Sequence, residues 1–149
     1  MTELNTKQRY VVGFMFNNDG SKVALIHKNK PKWQEGLLNG VGGKVETNEI
    51  SLNAIVREFE EETGVKTLRP DWDFYAHLEG GYFSLDVFYC KSDEYCYSVK
   101  TIEQEEVDVY NVVDILSGKE KGVSNLPWLI CAALDTDQPR FFLEVNYTE

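Results

Sequence analysis

Apolar positions along the chain change period several times, and each change marks an expected element. Residues 10–16 (YVVGFMF) read as a buried strand, Asn17-Asn18-Asp19-Gly20 as a turn, and residues 23–27 as the returning strand. Residues 28–39 form a lysine-rich loop containing Pro31, Trp33 and Gly36. Residues 48–63 then take helical periodicity, with Thr47 or Asn48 as N-cap and Gly64 as the C-terminal stop. Trp72, Phe74, Ala76 and Leu78 alternate, Gly80-Gly81 turns, and Phe83, Leu85, Val87 and Tyr89 alternate again, which predicts a long hairpin. Residues 100–108 are an acidic loop and residues 109–113 a short strand. Ser124 is placed to cap a last helix that has Pro127 in its first turn and runs to about Leu134. Phe141, Leu143, Val145 and Tyr147 alternate as a final strand. Strands interleaved with two main helices predict an α/β or α+β fold with helices against a mixed sheet.

With 149 residues and no repeat or Pro/Ser-rich linker, residues 1–149 are expected to form a single domain. No apolar run approaches the ~18 residues of a membrane helix, and the first residues lack the profile of a secretory signal. Cys90, Cys96 and Cys131 are odd in number and widely spaced, so free thiols in a reducing, cytoplasmic compartment are expected. The formal net charge of −10 disfavours non-specific nucleic-acid binding. A small phosphorylated ligand would need its charge neutralised, and a divalent cation is the simplest means.

Residues 43–65 (GKVETNEISLNAIVREFEEETGV) carry the candidate chemistry. On a helix of ~100° per residue, Glu58, Glu61 and Glu62 fall in one arc. Leu52, Ile55, Val56 and Phe59 fall in an adjacent, core-facing arc, while the small Ser51 and Ala54 leave space on the carboxylate side. Like charges at these spacings repel, and the C-terminal half of a helix disfavours anions. The face is therefore either fully solvated or filled by cations, for which Mg²⁺ or Mn²⁺ are the hard-oxygen choices.

The stretch resembles the Nudix box, G-x5-E-x7-R-E-U-x-E-E-x-G-U with U a bulky apolar residue. Gly43, Glu49, Arg57, Glu58, Phe59, Glu61, Glu62, Gly64 and Val65 meet every specified position, Phe59 standing where an aliphatic residue is commoner. A chance match runs at roughly one in 10⁹ per starting point, so coincidence is set aside. The resemblance implies a loop–helix–loop on an α/β/α sandwich and a metal-dependent hydrolase. It implies Glu58, Glu61, Glu62 and the Gly42 carbonyl as metal ligands, with Mg²⁺ or Mn²⁺ as cofactor. Arg57 would orient a ligand glutamate and Glu49 would brace Arg57. Glu58 is the expected general base. In some relatives the base comes from a distal loop, and here Glu103-Gln104-Glu105-Glu106 is such a loop, with Glu106 preferred; a solvated hinge is the alternative. Glu58, Arg57, Glu61 and Glu106 are thus the candidate catalytic residues.

Substrate recognition lies outside the box. Asn39-Gly40-Val41-Gly42-Gly43-Lys44 resembles the N-G-x-G-G-K lead-in of MutT-type members that destroy oxidised purine nucleoside triphosphates. Asn39 either reads a purine edge or bonds its own backbone in a turn. Trp33 and Trp128 are candidate stacking rings, with Trp128 as a core anchor the alternative. Lys28 and Lys44 are candidate phosphate contacts or simple surface lysines, and His27 is expected to be structural. The expected reaction is cleavage of a nucleoside triphosphate, an oxidised purine one included, to the monophosphate and pyrophosphate. Hydrolysis of ADP-ribose, a nucleotide sugar, a dinucleoside polyphosphate or capped RNA is the alternative. A non-catalytic nucleotide-sensing module is a third reading, and monomer and homodimer both remain open.

Overall fold

The computed structural model describes residues 7–135 and 141–148. Its elements are β1 (Gln8–Phe16), β2 (Lys22–His27), β3 (Leu38–Asn39), β4 (Val41–Lys44), α1 (Ser51–Thr63), β5 (Asp73–Glu79), β6 (Phe83–Lys91), α2 (Asp93–Cys96), β7 (Glu106–Asn111), α3 (Val112–Leu116), α4 (Leu126–Leu134) and β8 (Leu143–Asn146). A mixed sheet runs in the order β3-β2-β1-β6-β5-β8, with β4 on β1 and β7 on β2. The β1–β6 and β5–β8 pairs are parallel and the other strand pairs antiparallel.

Side-chain alternation gives the sheet two apolar faces. Val11, Met15, Ala24, Ile26, Phe88 and Val107 pack with Ala54, Ile55 and Phe59 of α1. Val12, Phe14, Phe16, Leu25, Leu78 and Val87 pack with Ile115 of α3 and Leu126, Leu129 and Ile130 of α4. Helices thus cover both faces, and the expected α/β/α sandwich with a mixed sheet is what the chain forms. Among the described residues no helix is long and apolar enough to cross a membrane.

The sheet forks near the box. β1 and β2 pair only through Met15↔Ala24 and Phe16↔Val23. Beyond that point β1 takes β4 as its partner and β2 takes β3, while β7 lines the other edge of β2 throughout. Only Gly40 separates β3 from β4, and a Cβ there would lie 2.6 Å from Val12 and 2.8 Å from Phe14.

Several boundaries differ from the sequence expectation. The box helix begins at Ser51, and neither Thr47 nor Asn48 caps it; its N-cap, Ile50, offers no side-chain bond. Asn48 instead takes a left-handed φ of 66° in a turn closed by the bond from Glu49 N to the Glu46 carbonyl. Gly64 ends the helix at φ 78° as expected. A bulge in β5 breaks the Trp72–Leu78 alternation, leaving Phe74 half-exposed and turning Tyr75 inward, where its hydroxyl donates to the Leu129 carbonyl. The strand expected at residues 109–113 starts at Glu106, and Val112 and Val113 belong to α3. Asn125, not Ser124, precedes α4. Residues 93–96 form a short helix, capped by the Ser92 hydroxyl, that the periodicity does not signal. Phe141 and Tyr147 lie outside the final strand.

α1 lies close to β1 because Gly13 has no side chain. A Cβ there would sit 2.7 Å from Ile55 Cδ1 and 2.9 Å from Trp72 Cζ3. Gly13→Val should therefore destabilise the domain by about 1–3 kcal/mol through overpacking, read as a lower urea midpoint at unchanged m-value.

Candidate active site

Phe59 and Ile55 are fully buried beneath α1, and Phe59 meets Trp72 edge-on at 5.3 Å. That anchoring turns Arg57 and Glu58 toward β4, where they meet the Lys44 carbonyl and Gly43, with Glu61 and Glu62 one turn further along the helix. Ala54, expected to leave space beside the glutamates, is instead sealed in the core.

Arg57 is the hub. Its Nε and Nη2 donate to the two oxygens of Glu49, each at 2.9 Å, and Nη2 also reaches the Lys44 carbonyl at 3.0 Å. Its Nη1 donates to Glu58 Oε1 at 2.8 Å and to Glu61 Oε2 at 3.2 Å. The fork-on-carboxylate geometry with Glu49 is the strong form of such a bond. Accordingly Arg57 holds the Glu49 carboxyl below its ordinary range, and Glu49 and Glu58 hold the guanidinium above its own.

Glu58 is pressed against Gly43. A Cβ on Gly43 would lie 2.5 Å from Glu58 Oε2, so only glycine leaves room for the carboxylate. Gly42, registered against Val12 in β4, is as constrained, since a Cβ there would meet the Val11 carbonyl oxygen at 1.9 Å. Burial raises the Glu58 pKa, with Arg57 opposing it. Glu61 is half-exposed.

Glu62 stands apart. Its Oε2 is buried with no hydrogen-bond partner. Burial, and then the negative charges of Glu58 and Glu105, push its carboxyl up to about 7, with Lys28 opposing. An orphaned carboxylate oxygen in an anionic, partly buried setting is suited to a cation. Among the described residues no three His, Cys, Asp or Glu side chains form a ready cage, because Arg57 draws Glu58 and Glu61 to itself. The donor set nevertheless fits a divalent ion: hard carboxylate oxygens, one without a partner, beside a glycine backbone.

The distal loop faces this region with a different residue from the one preferred on sequence. Glu105 and Val107 lie on the α1 side of the sheet, Val107 within the α1 core, whereas Glu106 is exposed on the alternate side, in register with His27. Glu105 is buried and accepts from Asn29 N (2.6 Å), Lys30 N (3.2 Å) and Lys28 Nζ (3.0 Å). Burial pushes its pKa up, but these donors prevail and hold it below the ordinary value. A carboxylate with every partner in place is a fixed negative charge, and the loop reads as structured rather than as a solvated hinge.

The other candidates are spread along the fork. Lys28 is drawn to Glu105. Lys44 reaches the box through its carbonyl alone; its side chain is exposed on the strand face of Tyr10, alternate to Gly43. Asn39 is held at two points, Oδ1 accepting from Gly40 N at 2.8 Å and Nδ2 donating to Gln34 Oε1 at 3.2 Å. Trp33, in a single 3₁₀ turn over Lys32–Gln34, is 68% exposed, while Trp128 on α4 is 38% exposed. His27 is exposed at the end of β2.

The fold is shared with proteins of known structure. A MutT protein described for Aliivibrio salmonicida and Vibrio cholerae superimposes with a TM-score of 0.70 at 23% identity, covering 89% of this chain and all of that one. An ADP-ribose pyrophosphatase from Streptococcus suis gives 0.68 at 14% identity, over 95% of this chain and all of that one. A Nudix hydrolase from Nitrosomonas europaea gives 0.70 at 16% identity, over 99% and 83% respectively. The NUDIX domain model matches residues 6–140. Nudix hydrolases act on small nucleotides and generally need a divalent metal. With the box complete, its arginine fully bonded and nearly the whole length matched, this chain belongs to the Nudix family and is a hydrolase of pyrophosphate bonds.

Proposed function

We propose that the chain is a nucleoside triphosphate pyrophosphohydrolase whose substrate is a purine nucleotide, oxidised forms included, and which releases the monophosphate and pyrophosphate. The observation that carries the metal-dependent reading is the buried, unpartnered Oε2 of Glu62 beside Glu58. Glu58, Glu61, Glu62 and the Gly42 carbonyl would hold Mg²⁺ or Mn²⁺. Once bound, that ion neutralises phosphate oxygens and makes the attacking water more acidic.

The remaining roles belong to the chain itself. Arg57 engages Glu58 through Oε1, which leaves Oε2 to take the proton from water as it attacks phosphorus and the anhydride bond breaks. Glu105, with both oxygens engaged, serves the site as a static charge and an anchor for residues 28–30. The Asn39 amide, oriented by Gly40 and Gln34, is set to read a base edge. Trp33 presents an open ring beside Gln34 in sequence, and the Asn39–Lys44 lead-in, which resembles that of MutT-type members, supports the triphosphate over ADP-ribose. Action on a free cytoplasmic nucleotide accords with the acidic surface.

A panel of canonical and 8-oxo nucleoside triphosphates, ADP-ribose, a nucleotide sugar and a dinucleoside polyphosphate, with Mg²⁺ or Mn²⁺, is expected to show EDTA-sensitive release of pyrophosphate from a purine triphosphate. ADP-ribose as the best substrate would overturn the substrate assignment; no turnover by folded protein would favour a sensing module. Glu62→Gln should lower kcat by two or more orders of magnitude at unchanged melting temperature, and near-native turnover would remove Glu62 from the metal site. Trp33→Ala should raise KM about 5- to 100-fold, the equivalent of one stacked base, without altering Tm. Trp128→Ala separates the two readings of that ring, 38% exposed on α4: a raised KM marks a stacking residue, and a lowered Tm at unchanged KM marks a core anchor.

A further inference from the structure

A second polar cluster underlies the start of α1. Ser51, the first residue of the helix, donates its hydroxyl to Asp86 Oδ2 at 2.5 Å. The other Asp86 oxygen meets His77 Nδ1 at 2.5 Å, and His77 Nε2 meets Glu79 Oε1 at 2.8 Å. Lys7 pairs with the second oxygen of Glu79. Arg9 donates to the Glu49 carbonyl at 3.1 Å and touches Ser51 Oγ at 3.5 Å. Register explains the gathering: Asp86 stands opposite Val11 and His77, on the sheet face that α1 covers. A neutral imidazole has one N–H, so the ring that satisfies a carboxylate at each nitrogen is the imidazolium. Burial alone would lower the His77 pKa, but the two carboxylates outweigh it and raise it.

The cluster meets a need that the local sequence leaves open. Ile50 offers α1 no side-chain cap. The turn before the helix carries Glu49, which clamps Arg57, which in turn holds Glu58. The contacts that tie this turn to the sheet are Ser51 to Asp86 and Arg9 to the Glu49 carbonyl. We infer that Asp86, backed by His77, is a positioning residue for the metal box, acting through Ser51 on the Glu49–Arg57–Glu58 chain. Asp86 touches no substrate; it sets where α1 begins and so where the carboxylates stand. This role rests on the metal-dependent reading above.

Partners lying directly behind metal-site ligands typically change affinity or rate 10- to 100-fold when removed, and Asp86 lies further back, so about a 3- to 10-fold effect is expected. Ser51→Ala deletes one hydroxyl and leaves the Asp86–His77 pair intact, so it should fold. It should weaken Mn²⁺ binding, read by electron paramagnetic resonance, about 3- to 10-fold, and lower kcat by a similar factor with KM little changed. In ¹H–¹⁵N spectra of the metal-free protein it should speed solvent exchange of the Arg57 Nε–H. Ser51→Thr should restore all three. Asp86→Ala removes the same acceptor, so its losses should be at least those of Ser51→Ala, and the double variant should be no worse than the more damaging single one, since the same link is lost in each case. Unchanged Arg57 exchange in Ser51→Ala, or additive losses in the double variant, would overturn the positioning role. Failure of the wild-type protein to bind Mn²⁺ would overturn the metal reading instead, and the Arg57 exchange would still decide the role of Asp86.

Discussion

A guanidinium has five N–H donors, and in Arg57 every one is directed at an acceptor: two oxygens of Glu49, the Lys44 carbonyl, Glu58 and Glu61. These acceptors come from the turn before α1, from β4 and from the helix itself, so one side chain fastens three segments at a single point. A lysine there would supply the charge but not the planar fork. Because Arg57 is adjacent to Glu58 and one turn before Glu61, holding the guanidinium also places the carboxylates. Glu62, out of its reach, keeps a buried oxygen without a partner. The arginine thus neutralises part of the acidic flank and leaves the remainder for a cation.

That hub is held in place by close packing. Gly13 allows α1 to lie near β1, and Gly43 allows the Glu58 carboxylate to lie near β4. Each glycine is set by a neighbour distant in sequence, Ile55 and Trp72 for the first and Glu58 for the second. Helix, strand and loop are consequently coupled through steric limits as much as through hydrogen bonds. An added methyl group at either position shifts a group that the site requires.

Much of this is legible in the chain, and the features that are not share a cause. The box, the main strands and the Gly64 stop depend on neighbours in sequence, and these features hold in the structure. Asn48 was ambiguous because asparagine serves helix caps and left-handed turns alike, and here the turn prevails. The bulge at Tyr75 carries no local signal, since it arises from pairing with β6. Glu105 immediately precedes β7 and Glu106 opens it, so the two side chains fall on opposite sides of the sheet, and that parity comes from the pairing with β2. Alternation of Glu105 with Val107 and Val109 is the clue the sequence carries to that parity. The bond between Ser51 and Asp86 spans 35 positions, and nothing in either residue's surroundings predicts it.

The forked sheet bears on how the molecule moves. One arm, β3–β2–β7, carries Lys28 and Asn39 and leads into Glu105; the other carries β4 and, through it, the box helix. Two residue pairs between β1 and β2 and the single Gly40 link join the backbones at the branch. A seam with so few ladder bonds is where sub-global opening concentrates, while each arm retains its own hydrogen bonds. What resists that opening is side-chain packing, since Ala24, Ile26 and Val107 of one arm share a single apolar cluster with Val11 and Met15 of β1 and with the box helix.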